Sequence, residues 1–179
     1  MIPKKALKIA SKIIPNKSFA NKMKYAYIKD GKFVCSDSFL LFEFEPKEWG
    51  LNIPACISKK HIECLEKLAH DIFWIKVICK QQLSQSMIEI ETYANGRILI
   101  PDTDEQFVEY KQNSIFGNWY MATQKILPNK SFDLFIECCK IVDPTTVAQS
   151  TDITWEYTNE DLDWKYTIII RKYQDQDKE

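Results

Sequence analysis

Both histidines of the chain lie in one short segment, where they could serve a metal ion or a catalytic group. His61, Cys64 and His70 have loosely the spacing of zinc ligands. On a helical wheel, however, Cys64 falls with Ile62 and Leu65 on the apolar arc, so it is expected to point into the core. His61 falls on the same side and is expected to be a hydrogen-bonded core residue. The segment therefore predicts no catalytic residue, no metal site and no cofactor.

A second candidate chemistry comes from acidic residues after the middle of the chain. Pro101-Asp102 is followed by Glu109-Tyr110-Lys111, which resembles the PD…E-x-K pattern of metal-dependent nucleases. In such a site carboxylates hold a divalent cation and the lysine positions or activates water. Asp104 and Glu105 would add oxygen ligands. The interval is short and lacks the alternation of a hairpin, so an acidic, solvated loop is the alternative interpretation.

Lysine is the abundant residue type that could act through its charge. The chain has 22 lysines and 2 arginines, and its first 29 residues hold eight lysines and no acid. Residues 1–100 carry a net charge of +6 and residues 101–179 a net charge of −7, although the whole chain carries only −1. Lysine offers charge to phosphates but little bidentate base recognition, so any contact with nucleic acid is predicted to be sequence-independent.

Two predicted helices would present many of these lysines to solvent. In segment 4–14 the lysines fall within an arc of about 100°, opposite an apolar arc of about 160°. Segment 58–70 repeats this pattern with Ser58 as its N-cap, although Glu63 and Glu66 share its polar arc. An ordinary solvated lysine face is the alternative to a DNA-contacting one. The candidate DNA-binding residues are Lys4, Lys5, Lys8, Lys12, Lys59, Lys60 and Lys67.

The elements that would hold these helices are short strands joined by recognisable turns. In segment 24–45, Asp30-Gly31 predicts a two-residue hairpin turn, and Ser36-Asp37-Ser38 predicts a second turn. The result is a three-stranded meander with one apolar face, which the preceding helix is expected to cover. Strands predicted at 73–80, 86–92 and 97–100 follow the second helix, so the helix and meander occur twice. A third helix at 131–142 and strands near 153–157 and 164–171 form a shortened third copy.

The cysteines and the apolar content bear on the compartment. Six cysteines and a polar, lysine-rich N-terminus without a signal peptide predict reduced, buried thiols in a cytoplasmic protein. No apolar run approaches the length of a transmembrane span, so no membrane partner is expected.

The order of elements resembles the bacterial DNA polymerase sliding-clamp (beta subunit) family. The basic helix followed by YAYIKDGKFVCSDSFLLFEF is similar to the opening of that family, with Cys35-Ser36-Asp37-Ser38 at its strand corner. NIPACISKKHIECLEKL resembles the family's next strand and second inner helix. DEQFVEY is similar to its Phe-Pro-x-Tyr-like segment, with Val108 where the proline would be, and LPNKSFDLFIECCKIV looks like the start of another repeat. The resemblance implies an α+β fold of DNA-clamp-like repeats, each a helix plus an antiparallel β-meander, with the lysine helices facing DNA.

The chain also departs from that family. It is too short for three domains, its third helix carries Asp133, Glu137 and Lys140 instead of a cationic face, and Ile168-Ile169-Ile170-Arg171 is only a faint counterpart of the C-terminal signature. A shortened relative of phage or mobile-element type would fit these departures, as would a clamp-like domain recruited elsewhere. Residues 1–112 would form a clamp-like domain of two repeats, and residues 113–179 a partial third repeat.

The function expected from this resemblance is that of a non-catalytic, sequence-independent DNA-binding processivity factor in replication or repair. It would self-associate, because one chain cannot close a ring, and DNA polymerase or clamp-loader peptides are candidate partners. One alternative is a metal-dependent nuclease that uses Asp102, Glu109 and Lys111. The other is a clamp-fold protein-interaction module without DNA binding.

Overall fold

The computed structural model describes residues 1–16, 21–37, 39–47, 51–68, 74–82, 85–92, 96–103, 129–150 and 154–171. Within these residues the fold is mixed α+β, with three α-helices and two antiparallel sheets, which confirms the predicted class. The helices are α1 (Lys4–Ile13), α2 (Lys59–Leu68) and α3 (Asn129–Val142). The strands are β1 (Ile2–Pro3), β2 (Tyr25–Lys29), β3 (Lys32–Ser36), β4 (Leu40–Pro46), β5 (Ala55–Ser58), β6 (Trp74–Gln82), β7 (Ser86–Thr92), β8 (Arg97–Pro101), β9 (Gln149–Ser150), β10 (Thr154–Glu160) and β11 (Trp164–Arg171).

The first meander has the two turns that its sequence predicts. Asp30 and Gly31 connect β2 to β3 with φ angles of 51° and 79°, the positive values that a type I′ turn requires. Between β3 and β4 the Asp37 carboxylate bends the chain, because its Oδ1 accepts hydrogen bonds from the Phe39 and Leu40 amides at 2.9 and 2.8 Å. Both turns are therefore determined by local residues.

The element order β-α-β-β-β occurs twice, as β1-α1-β2-β3-β4 and as β5-α2-β6-β7-β8. Each copy contributes its first strand to the sheet of the other copy. β1 pairs antiparallel with β6, and β5 pairs antiparallel with β2. The sequence predicted two helix–meander copies but not this exchange of strands, which ties the two copies together.

A third meander follows α3 and joins the first one edge to edge. β9, β10 and β11 pair in sequence, and β11 pairs antiparallel with β4 from Leu40↔Ile170 to Trp164↔Pro46. The result is a seven-stranded sheet in the order β5-β2-β3-β4-β11-β10-β9, beside a four-stranded sheet in the order β1-β6-β7-β8. The boundary between 1–112 and 113–179 stays a prediction, but the described strands of the second segment complete a sheet of the first.

The three helices lie on one face of the seven-stranded sheet, and α1 lies between α2 and α3. The predicted cover of the first meander is confirmed, since α1 packs on β3 and β4. Phe33, Phe42, Phe44 and the α3 residue Phe135 are all fully buried in one core that both sheets share. Losing one such ring would cost about 3–5 kcal/mol, so this layer order is strongly specified.

The described helices are also short. The longest, α3, has 14 residues, and none of the three is long and apolar enough to cross a lipid bilayer.

Candidate functional site

The cationic face of α1, formed by Lys4, Lys5, Lys8 and Lys12, lies on the side of the helix away from the core. The opposite side of the helix is fully buried, as the wheel predicted, because Ala6, Leu7, Ile9, Ala10 and Ile13 face the sheet. Lys5 and Lys8 are exposed, and Lys4 and Lys12 are half-buried. Since α1 is the central helix, this face occupies the middle of the helical layer.

Two of these four lysines are bound to α3. The Lys5 ammonium donates a hydrogen bond to the Val142 carbonyl at 3.1 Å, which places a cation at the C-terminus of α3, where the helix dipole favours one. Lys12 Nζ lies 2.7 Å from Glu137 Oε1, and this hydrogen bond raises the pKa of Lys12, with Glu66 of α2 adding to the effect. Lys5 and Lys12 therefore hold α1 against its neighbour, a role that the sequence alone did not indicate.

The ammonium groups of Lys4 and Lys8 differ from those of Lys5 and Lys12 in having no hydrogen-bonding or ion-pairing partner among the described residues. Lys8 is exposed and lies one helical turn from both Lys4 and Lys12. Its ammonium is thus available to an anion in solution. Of the predicted DNA-binding set on α1, these two lysines are the pair whose charge the fold leaves for an external ligand.

The α2 residues of the predicted set contribute a weaker and mixed charge. Lys60 and Lys67 are exposed, whereas the Lys59 side chain is only 18% exposed and lies 3.9 Å from Glu63. Glu66 accepts a hydrogen bond from Ser11 of α1 at 2.7 Å, which joins the two helices side by side. The polar faces of α1 and α2 therefore meet, but carboxylates lie among the lysines of α2.

The prediction that Cys64 points into the core is wrong. Cys64 is exposed, and Leu68, about one helical turn after Leu65, is 56% exposed. The helix buries only Ile62 and Leu65, because it rests on β5, β2 and α1 along a narrow stripe. Cys64 lies about 100° from Leu65 around the axis, outside that stripe. The width of an apolar arc on a wheel overestimates what a short peripheral helix buries.

His61 is hydrogen-bonded at the start of α2, as predicted, but it is only half-buried and is not the core residue that the wheel indicated. Its Nδ1 lies 2.9 Å from Ser58 Oγ, and Ser58 Oγ also accepts a hydrogen bond from the His61 amide at 3.4 Å, which confirms Ser58 as the N-cap. Burial, and then the nearby Lys60 charge, lower the pKa of His61. His70 lies outside the described residues. Within the described part of the chain, no three His, Cys, Asp or Glu side chains are placed to hold a metal ion.

Asp102, the first residue of the candidate nuclease site, is held in a structural network. Its side chain is 2% exposed, its Oδ1 accepts a hydrogen bond from the Cys56 amide at 3.0 Å, and its Oδ2 is in ion-pair contact with Lys80. Thr103 Oγ1 donates to the Cys56 carbonyl at 3.3 Å and closes the same junction. Oδ1 is thus hydrogen-bonded, whereas the only partner of the buried Oδ2 among the described residues is the Lys80 charge. Asp104, Glu105, Glu109 and Lys111 lie outside the described residues.

A surface groove of about 300 Å³ lies where the C-terminal end of α1 meets the start of α2. We name it the end groove. Its walls include Lys24, which directly precedes β2, and Tyr25, the first residue of β2. They also include Lys59, Lys60 and Glu63 of α2. Sequence reasoning found Lys59 and Lys60 but missed Lys24, whose only signal was its place in the lysine-rich first 29 residues.

No protein-family model matches this chain, and a search of curated proteins finds no similar sequence.

Proposed function

We propose that the protein is a non-catalytic, sequence-independent DNA-binding subunit with a clamp-like architecture, which contacts the sugar-phosphate backbone through its helical layer. The observation that carries this proposal is the position of Lys8. It is exposed on the central helix and, among the described residues, has no partner for its charge. Lys4 on the same helix and Lys60 and Lys67 on α2 extend the cationic surface.

The kind of cation supports backbone contact. Lysine supplies point charge to phosphates, whereas base recognition in the major groove depends heavily on arginine. Four such lysines would make about four phosphate contacts, which predicts a slope of log K against log salt near −3.6. The number of phosphate contacts stays small because Glu66 of α2 and Glu137 of α3 act on the charge of Lys12, so Lys12 is not counted among them. Moderate, salt-sensitive binding is therefore expected.

The topology supports the clamp-like part of the proposal. Two β-α-β-β-β copies exchange their first strands, and a third meander extends one of the sheets. The helices share one side of the seven-stranded sheet, so a lysine-bearing helical face and a sheet face lie on opposite sides. This arrangement agrees with the resemblance that the sequence showed to the sliding-clamp family.

Self-association through β8 would complete the assembly that this function needs. β8 is the last strand of its meander, and β4 and β11, which are the last strands of the other two meanders, pair with each other. In the described part of the chain the outer edge of β8 has no strand beside it, and Leu99 on that strand is 47% exposed. β8 of a second copy could pair with this strand and form hydrogen bonds with the backbone N–H and C=O groups of its outer edge.

Sedimentation equilibrium of the wild type and of Leu99→Lys tests the association. A concentration-dependent dimer that Leu99→Lys weakens is expected. A wild type that stays monomeric at all concentrations would refute ring formation and leave the proposal of DNA contact untouched.

The DNA contact is tested with Lys4→Gln/Lys8→Gln, which removes two charges without touching the α1–α3 contacts. Binding to a short fluorescent duplex of arbitrary sequence should weaken about 60-fold at about 0.1 M salt, because two phosphate contacts account for about 1.8 of the salt slope. Lys140→Gln is the control for charge, since Lys140 is exposed on α3 outside the proposed set. Unchanged affinity in the double variant would sink the DNA-binding proposal and favour a protein-interaction module.

A further inference from the structure

We propose that the end groove is a phosphate-binding site, and that its occupant is a backbone phosphate of the bound DNA. This proposal rests on the proposed function and adds a subsite to it. The groove lies at the junction of α1 and α2, at one end of the lysine-bearing helical layer. A phosphate seated there would fix the path of the strand at the edge of that layer.

The charge of the groove favours an anion. The groove is lined by three lysines, Lys24, Lys59 and Lys60, and by one carboxylate, that of Glu63. The formal charge of these lining groups is therefore positive. The ion pair between Lys59 and Glu63, at 3.9 Å, is long and weak. An incoming phosphate therefore meets net positive charge, and Lys59 can exchange a distant carboxylate for a closer oxygen.

The shape and the donors of the groove also fit a phosphate. A volume of about 300 Å³ admits a phosphate group together with part of the attached sugar. Tyr25 and Ser58 add polar side chains to the walls. The amide of His61 is already bonded to Ser58 Oγ, so this amide is not offered to a ligand, while the lysine ammonium groups are the charged donors of the groove.

The groove differs from the cationic face of α1 in how its charge is gathered. The four α1 lysines share one helix, but Lys24 precedes β2 and reaches the same groove as Lys60 of α2. Charges that converge from two elements on one concavity hold an anion at a defined point, whereas a helical face attracts it diffusely. We therefore expect one localised contact here.

Two single variants change the charge of the groove in opposite directions. Glu63→Gln removes its carboxylate and should tighten binding, while Lys60→Gln removes an exposed lysine and should weaken it. For the duplex, Lys60→Gln is expected to cost about eightfold at about 0.1 M salt and to reduce the salt slope by about 0.9. Lys140→Gln is the matched control. A gain of affinity in Glu63→Gln cannot be produced by misfolding.

A second probe, inorganic pyrophosphate, separates the groove from the rest of the DNA surface. Amide chemical shifts of Ser58, Lys59 and Lys60 should move on titration, with a stronger response in Glu63→Gln. If pyrophosphate shifts these amides but no duplex binds, the groove binds phosphate, but its assignment to DNA and the proposed function are both refuted. If the duplex responds to Lys4→Gln/Lys8→Gln but to neither groove variant, the function stands and the groove proposal is overturned.

Discussion

Asp102 offers a decisive test, because the same residue is either a structural anchor or a metal ligand. In the structure its carboxylate joins the start of β5 to the end of β8 through the Cys56 amide, and it contacts Lys80 of β6. Replacing Asp102 with Ala removes both contacts. We expect the variant to lose stability whether or not a metal ion is present.

The size of the loss follows from the two contacts. The buried Cys56 amide would be left without its acceptor, which costs about 1–3 kcal/mol. The Lys80 side chain is 38% exposed, so solvent screens the ion pair and its loss adds about 1 kcal/mol. Asp102→Ala should therefore lower the free energy of unfolding by about 2–4 kcal/mol, a large share of the 5–15 kcal/mol typical of a domain. Asp102→Asn keeps an acceptor for the amide and should lose only about 1 kcal/mol.

Urea denaturation followed by tryptophan fluorescence measures these differences. Asp133→Ala is the control, because Asp133 is an exposed carboxylate on α3 and should change stability by less than about 0.5 kcal/mol. An Asp102→Ala variant as stable as this control would refute the structural role. Plasmid incubated with Mg²⁺ or Mn²⁺ completes the test, since cleavage by the wild type that a folded Asp102→Asn variant lacks would restore the nuclease hypothesis.

Two further predictions concern titratable groups whose pKa is raised by partial or complete burial. Burial raises the pKa of the Asp37 carboxyl in the folded protein above the value of about 3.9 that it has in the unfolded chain. The protonated carboxyl therefore contributes its full stabilisation below the pKa of the unfolded chain, and this stabilisation is lost as pH rises through the pKa of the folded protein. Asp37→Asn keeps the turn acceptor without the buried charge; in urea titrations it should gain stability relative to wild type at pH 7 and lose that advantage near pH 3. Iodoacetamide at pH 8 should label exposed Cys64 first, while burial raises the pKa of Cys138 and Cys139 to about 12 and keeps them unlabelled until urea unfolds the protein. Peptide mass spectrometry reads the order, and fast labelling of Cys138 in the native protein would contradict the assigned core.

Features set by adjacent residues could be predicted from the sequence. Asp30-Gly31 encodes its own positive φ values, and the Asp37 carboxylate needs only amides two and three residues ahead. The apolar stripe of α1 was found because a central helix buries the whole arc that a wheel displays. These cases share one property: the information lies within a few positions of the residue concerned.

Features set by distant partners could not be predicted. Ile2 and Pro3 carry no signal that β1 will pair with β6 instead of its own meander. Lys5 and Lys12 look like their neighbours on the wheel, and only the position of α3 turns them into contacts with Val142 and Glu137. The sequence of a helix thus shows which polar side chains face away from the core. The neighbouring elements determine which of those side chains are free to bind an external ligand.

The pairing of β4 with β11 constrains the order in which the chain can fold. The middle of the seven-stranded sheet joins β4, in the first third of the chain, to β11, the last described strand, so it cannot close until the ribosome has delivered β11. Until then β4 presents an unpaired edge, and α3 is not yet in place to cover its part of the apolar layer. Long-range strand pairing of this kind forms slowly, and open edges invite pairing with other chains. A nascent chain that pauses after β8 is therefore the species most exposed to aggregation during synthesis.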